Sequence, residues 1–191
     1  MIRLGLMRHG HTHWNRAGQI QGLTDIPIDE EARAGLAKLC LPPGWEHARV
    51  VASPLARAME TGEIVTGQSP EAIPALIEMN WGAWEGRKGA DLRADPNTGF
   101  RDIDAWGWDY RPPDGESPAE VRARLLPWVA TLNRDCIAIC HIGIMRVLMA
   151  HATGWNFYGP APFQIKRNRL FVVEITGKTW RAGPVERLKE R

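Results

Sequence analysis

Three histidines stand at alternate positions in the segment LMRHGHTHWN, residues 6–15, with an arginine before them and an asparagine after them. Histidines at this spacing can bind a metal ion, and a neutral imidazole beside guanidinium groups can act as a nucleophile. Two later segments carry comparable polar residues: SPLARAMET at 53–61 and CHIG at 140–143. The chemistry therefore depends on which of these segments the fold brings together.

Apolar runs predict the strands that position these segments, and helical spacing predicts the helices. The predicted strands or extended segments span residues 2–8, 48–53, 72–79, 135–141 and 168–176. The predicted helices span residues 30–40, 54–65, 117–133 and 143–152. Ser53-Pro54 and Ser117-Pro118 each have the form of a helix cap followed by proline at the first helical position. Alternating strands and helices predict an α/β fold: a three-layer α/β/α sandwich with a mostly parallel central sheet.

Sheets of this kind bind ligands at the carboxyl ends of their strands. The segments MRHG, ASP and CHIG each end a predicted strand. We therefore expect the three polar clusters to lie at one edge of one sheet.

Composition is typical of a globular protein, with 191 residues, 44% hydrophobic and 24% charged. This length predicts a single domain over residues 1–191, with a short insert at about 87–116. The net charge of +2 and the absence of a basic stripe argue against nucleic acid as a partner, and no apolar run is long enough to predict a membrane span. Three cysteines and no signal-peptide pattern favour a cytoplasmic protein, and the basic tail ERLKER is expected to be a solvated end.

A metal site is one alternative for the first segment. Some barrel-type hydrolases bind a divalent ion with a pair such as His9-x-His11 at the end of a strand. However, a barrel of eight strand–helix units needs about 250 residues, and no second histidine or cysteine pair has ligand spacing. The positive charge of the Arg8 side chain would also be unfavourable beside a metal ion. The sequence therefore predicts no metal.

A cysteine nucleophile is a second alternative. Cys140 and Arg146 have the C-x5-R spacing of a phosphate loop in cysteine-dependent phosphatases, where a thiolate attacks phosphorus. Ile139 and Val147 stand where those enzymes have a histidine and a hydroxyl residue. A cysteine in an apolar strand is more often a buried core residue.

A third interpretation uses all the polar segments together. Residues 8–15 fit R-H-G-x-T-x-x-N, and QGLTDIPI, SPLARAMET, EMNWGAWEG, DGES and H-x-G follow in order. In this order and spacing, over about residues 3–151, the chain resembles the histidine phosphatase superfamily, which includes cofactor-dependent phosphoglycerate mutases, broad-specificity phosphatases and alpha-ribazole phosphatases. The resemblance implies a phosphoglycerate mutase-like fold, a small phosphorylated metabolite as partner, and no cofactor.

The resemblance also implies catalytic roles for five residues. His9 would attack phosphorus and form a phosphohistidine, and nearby cations would keep it neutral. Arg8 and Arg57 would pair with phosphoryl oxygens, as planar guanidinium groups do. His141 would donate to the phosphoryl group from the opposite side. Glu78 would protonate the leaving alkoxide and then take a proton from water.

Other residues are candidates for substrate binding: Asn15, Gln21 and Gly22 at the rim of the phosphate pocket, His11 as a minor contact, Glu116, Trp106 and Trp108. Ser117 either adds a contact or only caps its helix, and the two tryptophans either stack on the leaving group or pack in the core. Ile142 stands where the family usually has glycine, which leaves pocket size and activity in question. The short insert at 87–115 favours hydrolysis over phosphoglycerate mutase-type transfer, and a catalytically silent phospho-ligand binder stays open.

Overall fold

A six-stranded sheet lies at the centre of the computed structural model, which describes residues 1–191. Five of its strands run in the same direction and one, β6, is antiparallel to both of its neighbours. The prediction of a mostly parallel sheet is therefore confirmed. In spatial order the strands are β4 (Glu71–Ala72), β3 (Arg49–Ala52), β5 (Cys136–Cys140), β1 (Ile2–Arg8), β6 (Arg169–Thr176) and β7 (Thr179–Arg187).

Six α-helices accompany the sheet: α1 (His13–Arg16), α2 (Glu30–Leu36), α3 (Ala56–Thr66), α4 (Gly89–Ala94), α5 (Pro118–Val129) and α6 (Ile142–Thr153). Single 3-10 turns occur at Pro74–Leu76, Gly82–Trp84 and Pro96–Thr98. A separate two-stranded ribbon joins β2 (Leu39–Cys40) to β8 (Lys189–Glu190). None of the helices combines the length and the apolar character that crossing a bilayer would require.

The helices cover both faces of the sheet. Successive residues of a strand point to opposite faces, so Leu6 of β1 packs in a cluster with side chains of α5 and α6. Met7, its neighbour, packs in a second cluster with side chains of α2 and α3. These two clusters confirm the expected three-layer sandwich.

The carboxyl ends of β1, β3 and β5 lie side by side, because the three strands are adjacent and parallel. Arg8, Ser53 and His141 therefore meet at one edge, as the sequence predicted. Strand β6 runs the opposite way and pairs Leu170 with Met7. Its amino end thus reaches the same edge, and it places residues 154–168 beside the site.

The structure differs from the sequence prediction in several places. The helix predicted over 30–40 ends at Leu36, and β2 follows it at Leu39–Cys40. Residues 72–79 are not one strand: β4 ends at Ala72 and a 3-10 turn follows. The tail is not a free solvated end, because β8 pairs with β2 and the guanidinium of Arg191 donates to the carbonyls of Leu39 and Ile64. Strand β7 had no prediction at all, since most of its side chains are exposed and it lacks an apolar alternation.

Candidate active site

His9 directly follows β1, and a hydrogen bond to the backbone of the next residue holds its ring in place. Its Nδ1 lies 2.6 Å from the carbonyl oxygen of Gly10. A carbonyl can only accept, so Nδ1 carries the proton and Nε2 keeps a free lone pair. Burial, followed by the neighbouring His141 and Arg57, lowers the pKa of His9 well below its usual 6.5. His9 is therefore a neutral imidazole with its nucleophilic nitrogen available.

A cavity of about 190 Å³ adjoins His9. Two of the side chains that line it, Arg8 and Gln21, have a buried nitrogen donor, Nε and Nε2 respectively, without any hydrogen-bond partner. A buried donor without a partner costs roughly 1–3 kcal/mol, so this cavity suits a ligand rich in acceptor oxygens. Burial and the charge of Arg167 lower the pKa of Arg8 to about 9, which leaves it charged at neutral pH.

Polar side chains around this cavity hold one another in place. The amide oxygen of Gln21 accepts from Thr12 Oγ1 at 3.1 Å and from Asn15 Nδ2 at 3.3 Å. Arg167, in the segment before β6, donates to the Asn15 amide oxygen at 2.9 Å and to the backbone oxygen of His9 at 3.1 Å. Asn15 and Gln21 thus lie at the cavity, where the sequence prediction placed them, and Arg167 is a support that the sequence did not reveal.

Glu78 lies on the wall of the same cavity and is 2% exposed. One carboxyl oxygen accepts from the backbone N–H of Met79 at 2.8 Å and the other from that of Gly143 at 3.3 Å. Burial raises the pKa of Glu78 although these two hydrogen bonds and Arg57 lower it. A carboxyl group in such a place can hold a proton near neutrality and give it to a leaving group.

The backbone around Glu78 is held by a pair of charged residues away from the cavity. Arg124 of α5 donates to Glu116 at 3.0 Å and to the carbonyl of Ile77 at 2.9 Å, and Glu116 accepts from the N–H of Asn80 at 2.8 Å. Glu116 therefore supports the segment that carries Glu78 rather than lining the cavity. Ser117 caps α5 through its hydroxyl, as one of the two alternatives expected.

Gly143, in the first turn of α6, has no room for a side chain. A Cβ built there would lie well inside van der Waals contact with Glu78 Oε1 and 3.2 Å from the Cβ of Met79. We expect Gly143→Ala to displace the Glu78 carboxyl and to reduce kcat for alkyl phosphate esters at least about tenfold, since a misplaced catalytic group costs orders of magnitude. Steady-state kinetics beside a thermal melt checks this. The control is Gly35→Ala, because the space around Gly35 is open; equal kcat in the two variants would contradict the expectation.

Arg57 and His141 lie behind His9 and do not line the cavity. Arg57 is 0% exposed, and its Nε donates to His141 Nδ1 at 3.3 Å. Its Nη1 and Nη2 donate to the carbonyls of Thr24 and Gly22. Only the second N–H group of each of these nitrogens is therefore left for a substrate. Burial, then Arg57 and Arg8, lowers the pKa of His141 well below 6.5, so this ring is neutral too.

Ser53 does not cap α3, contrary to the sequence prediction. The helix begins at Ala56, and Leu55 at the cap position makes no side-chain hydrogen bond. The Ser53 hydroxyl lies 2.7 Å from His141 Nε2 instead. Because His141 Nδ1 accepts from Arg57, Nε2 carries the proton and donates to Ser53. In this arrangement the ring N–H of His141 is directed at Ser53 and not at the cavity.

Besides Glu116, four expected substrate contacts lie elsewhere. His11 lines a different cavity, beside Arg16 and Arg167. Gly22 is a structural residue, because a Cβ there would lie 2.7 Å from a carboxyl oxygen of Glu85. Trp106 is 3% exposed among other aromatic rings, and Trp108 packs edge-on against Phe157, 4.9 Å between centroids. Neither tryptophan lines the cavity next to His9, so packing is the role that the structure gives them.

Arg146 of α6 does line this cavity, although the sequence interpretation connected it only with Cys140. It follows Ile142 by four residues, which places both on one side of the helix. That spacing was visible in the sequence, whereas nothing in the sequence around Arg167 marked it.

The structure gives no support to the other two chemistries. Cys140 is fully buried in the core, and burial raises the pKa of its thiol far above the range of a reactive cysteine. No group of three or more histidine, cysteine or acidic residues is arranged to hold a metal ion.

Comparison with known proteins identifies the family. The family model of the histidine phosphatase superfamily (branch 1) matches residues 4–185. A probable phosphoglycerate mutase GpmB of an Enterobacter species is 32% identical over 159 residues, 79% of this chain and 70% of that protein. An adenosylcobalamin/alpha-ribazole phosphatase of Salmonella typhimurium is 32% identical over 176 residues, 82% and 85% of the two chains.

Solved structures agree. A mycobacterial glucosyl-3-phosphoglycerate phosphatase complexed with VO3 superimposes with a TM-score of 0.81 at 25% identity, covering 96% of this chain and 98% of that one. A phosphoglycerate mutase from Thermus thermophilus gives a TM-score of 0.73 at 28% identity, with 98% and 100% covered. From its residues, its fold and these relatives together, the chain belongs to the histidine phosphatase superfamily.

Proposed function

We propose that this protein hydrolyses small-molecule phosphate monoesters through a phosphohistidine on His9, with Glu78 as general acid and base. One observation carries the proposal: the free Nε2 of His9, the unpartnered guanidinium Nε of Arg8 and the buried carboxyl of Glu78 adjoin one cavity. These are a nucleophile, an anion-binding cation and a proton donor. The phosphatases among the relatives support the same activity.

The reaction would take place in two steps. In the first, Nε2 of His9 forms a bond to phosphorus, the phosphorus–oxygen ester bond breaks, and Glu78 gives its proton to the departing alkoxide. In the second, the Glu78 carboxylate takes a proton from water as the water oxygen attacks phosphorus, and the phosphorus–nitrogen bond breaks. Arg8 would neutralise charge on the phosphoryl oxygens in both steps, so no metal ion is required.

Hydrolysis is favoured over phosphoglycerate mutase-type transfer by the surroundings of the cavity. A mutase must keep water away from the phosphohistidine until it returns the group to a bound acceptor. Here no residue of the insert at 87–115 lines the cavity beside His9. The insert contains only α4 and one 3-10 turn. Water therefore has access to the second step, although relatives named as mutases keep the transfer reaction as the second candidate.

The test is an ester panel assayed with and without EDTA, with a phosphoglycerate mutase assay run beside it. We expect release of inorganic phosphate that EDTA does not reduce, and no net mutase turnover. Mutase turnover that exceeds hydrolysis would favour the second candidate. Loss on chelation that zinc restores would contradict the metal-free mechanism. Tight binding of esters without turnover would identify a silent binder, for which Ile142 on the cavity wall would be the suspected cause.

The dependence of kcat/KM on pH follows from the two shifted groups of the free enzyme, because catalysis needs His9 neutral and Glu78 protonated. Since burial lowers the pKa of His9 well below 6.5, we expect kcat/KM, corrected for the second ionisation of the ester near pH ~6, to persist as the pH falls through 6.5. Since burial raises the pKa of Glu78 above 4.5, activity should be lost only as the pH rises through that raised value. A kcat/KM profile on an alkyl phosphate measures both limbs. An acidic limb that stays centred at 6.5 after the correction for the ester would contradict the assignment of His9.

A further inference from the structure

We propose that Arg146 recognises a second anionic group on the leaving alcohol, so that the preferred substrates are phosphate monoesters of alcohols that bear a carboxylate or a second phosphate. The inference rests on the proposed phosphatase function and specifies its substrate class.

The position of Arg146 sets it apart from the other cations of the site. It lines the cavity of about 190 Å³ beside His9, and it also lines an adjoining cavity of about 450 Å³. Ile142, one helical turn earlier, is the only other residue common to both walls. A ligand that extends from the phosphoryl site into the larger cavity must therefore pass these two side chains.

The guanidinium of Arg146 has no partner in the protein. It makes no hydrogen bond to a carbonyl or carboxylate and no salt bridge, and burial lowers its pKa. By contrast, Arg57 and Arg167 are each held by backbone carbonyls, and Arg124 by Glu116. The Arg146 side chain is half-buried, and none of its nitrogens is a fully buried donor without a partner, so its free N–H groups are open to the two cavities that it lines. An anionic group of the ligand could accept charge-assisted hydrogen bonds from them.

Arg146 lies on the leaving-group side of the reaction. Glu78 must be near the ester oxygen in order to protonate it. Its carboxyl group accepts a hydrogen bond from the backbone N–H of Gly143 in the first turn of α6. Arg146 follows Gly143 by three residues on the same helix. Arg8, which ends β1 beside His9, lines only the smaller cavity. The two cations therefore serve different parts of a substrate: Arg8 the phosphoryl group and Arg146 the alcohol.

Two guanidinium groups line the cavity beside His9, those of Arg8 and Arg146. Arg57 and Arg167 do not line it and donate to backbone carbonyls. Burial raises the pKa of Glu78, which favours its neutral form. A substrate with a further anionic group therefore supplies a partner for Arg146 as well as for Arg8.

The rest of the larger cavity indicates what part of the substrate lies beyond the second anionic group. Apolar side chains make up half of its lining, among them Ile103, Trp155 and Phe163. Asp102 and Asp104 also line it, and Asp102 is already paired with Arg93 at 2.6 Å. The second anionic group must therefore sit at the Arg146 end, away from these carboxylates, with an apolar carbon skeleton beyond it.

Two matched pairs of esters test the proposal: carboxyphenyl phosphate and carbamoylphenyl phosphate, each as the 3- and the 4-isomer. The members of a pair share one shape and differ by a charge. For the wild-type protein we expect kcat/KM for at least one carboxylate isomer to exceed that of its amide about tenfold or more, the size of a charge-assisted hydrogen bond. In Arg146→Met this ratio should fall to about one, and in Arg146→Lys an intermediate ratio should remain.

Calorimetric binding of the same esters to His9→Gln protein, with and without Arg146→Met, should give the same order of preference without turnover. A wild-type ratio near one would overturn the proposal. So would an Arg146→Met variant that loses both esters of a pair equally, because Arg146 would then serve the transferred phosphoryl group. If the wild-type protein hydrolyses neither ester, the proposed function itself fails; the binding ratio then still decides whether Arg146 selects a second anion.

Discussion

His9→Gln is expected to abolish ester hydrolysis, with kcat lowered about 10⁴-fold or more, as happens when the nucleophile or base of a covalent mechanism is removed. The reason lies in the geometry of the ring. Nδ1 is bonded to the carbonyl of Gly10, so Nε2 is the one nitrogen with a free lone pair toward the cavity. Glutamine preserves much of the size of the side chain but has no nitrogen lone pair with which to attack phosphorus.

The phosphoenzyme distinguishes this result from simple misfolding. Wild-type protein quenched during turnover of a ³²P-labelled ester should carry label that is stable to alkali and labile to acid, and peptide mapping should place it on His9. The matched control is Cys140→Ala, which alters the only buried cysteine adjacent to the site and should retain the label. Label on any other residue, or full labelling of His9→Gln, would contradict the mechanism.

Glu78→Gln is expected to show the second large effect, and its size should depend on the leaving group. Loss of a general acid typically costs about 10²–10⁴-fold, and that loss should appear with alkyl phosphates, whose alkoxides leave poorly without a proton. With 4-nitrophenyl phosphate the leaving group needs little protonation, so the first step should be nearly unimpaired. The amide oxygen can keep only one of the two hydrogen bonds that the carboxyl oxygens accept from the N–H groups of Met79 and Gly143.

Rapid-mixing kinetics separate the two steps in Glu78→Gln. With 4-nitrophenyl phosphate we expect a burst of nitrophenol followed by slow turnover, because the amide that replaces the carboxylate cannot take the proton of the attacking water. The alkaline limb of the pH profile should disappear as well. Glu63→Gln, which changes an exposed glutamate of α3, is the control and should behave as wild type. An equal loss with alkyl and nitrophenyl esters would show that Glu78 is not the proton donor.

The sequence predicted the parts of this site that follow from strand direction. Polar residues directly after apolar strands must meet when the strands are parallel and adjacent, and Arg8, His9 and His141 do so. The cap of α5 was predictable for a similar reason, because Ser117, Pro118 and Glu120 satisfy the first turn of a helix locally.

The missed features depend on contacts that are distant in the chain. Ser53 and Ser117 both precede proline, and Ser117 caps its helix. Ser53 instead forms a hydrogen bond with His141, 88 residues away. Tryptophans such as Trp106 and Trp108 can pack in a core or stack on a ligand, and only the folded structure distinguishes these two roles. Arg167 reaches His9 across 158 residues, because β6 pairs with β1. No local sequence pattern predicts a contact between residues so far apart in the chain.

Because β6 runs in the reverse direction, the segment that contacts the alcohol is separate from the groups that break the ester bond. The choice of alcohol and the chemistry can therefore be altered independently. Arg8 and His9 lie at the end of β1, in the middle of the sheet, and Glu78 follows the 3-10 turn at Pro74–Leu76. The segment between α6 and β6 supplies Trp155, Phe163 and Ile165 to the larger cavity and ends at Arg167. Exchange of residues 155–165 for those of a relative, with Arg167 retained, would therefore retune which alcohols are accepted while the bond-breaking apparatus stays in place.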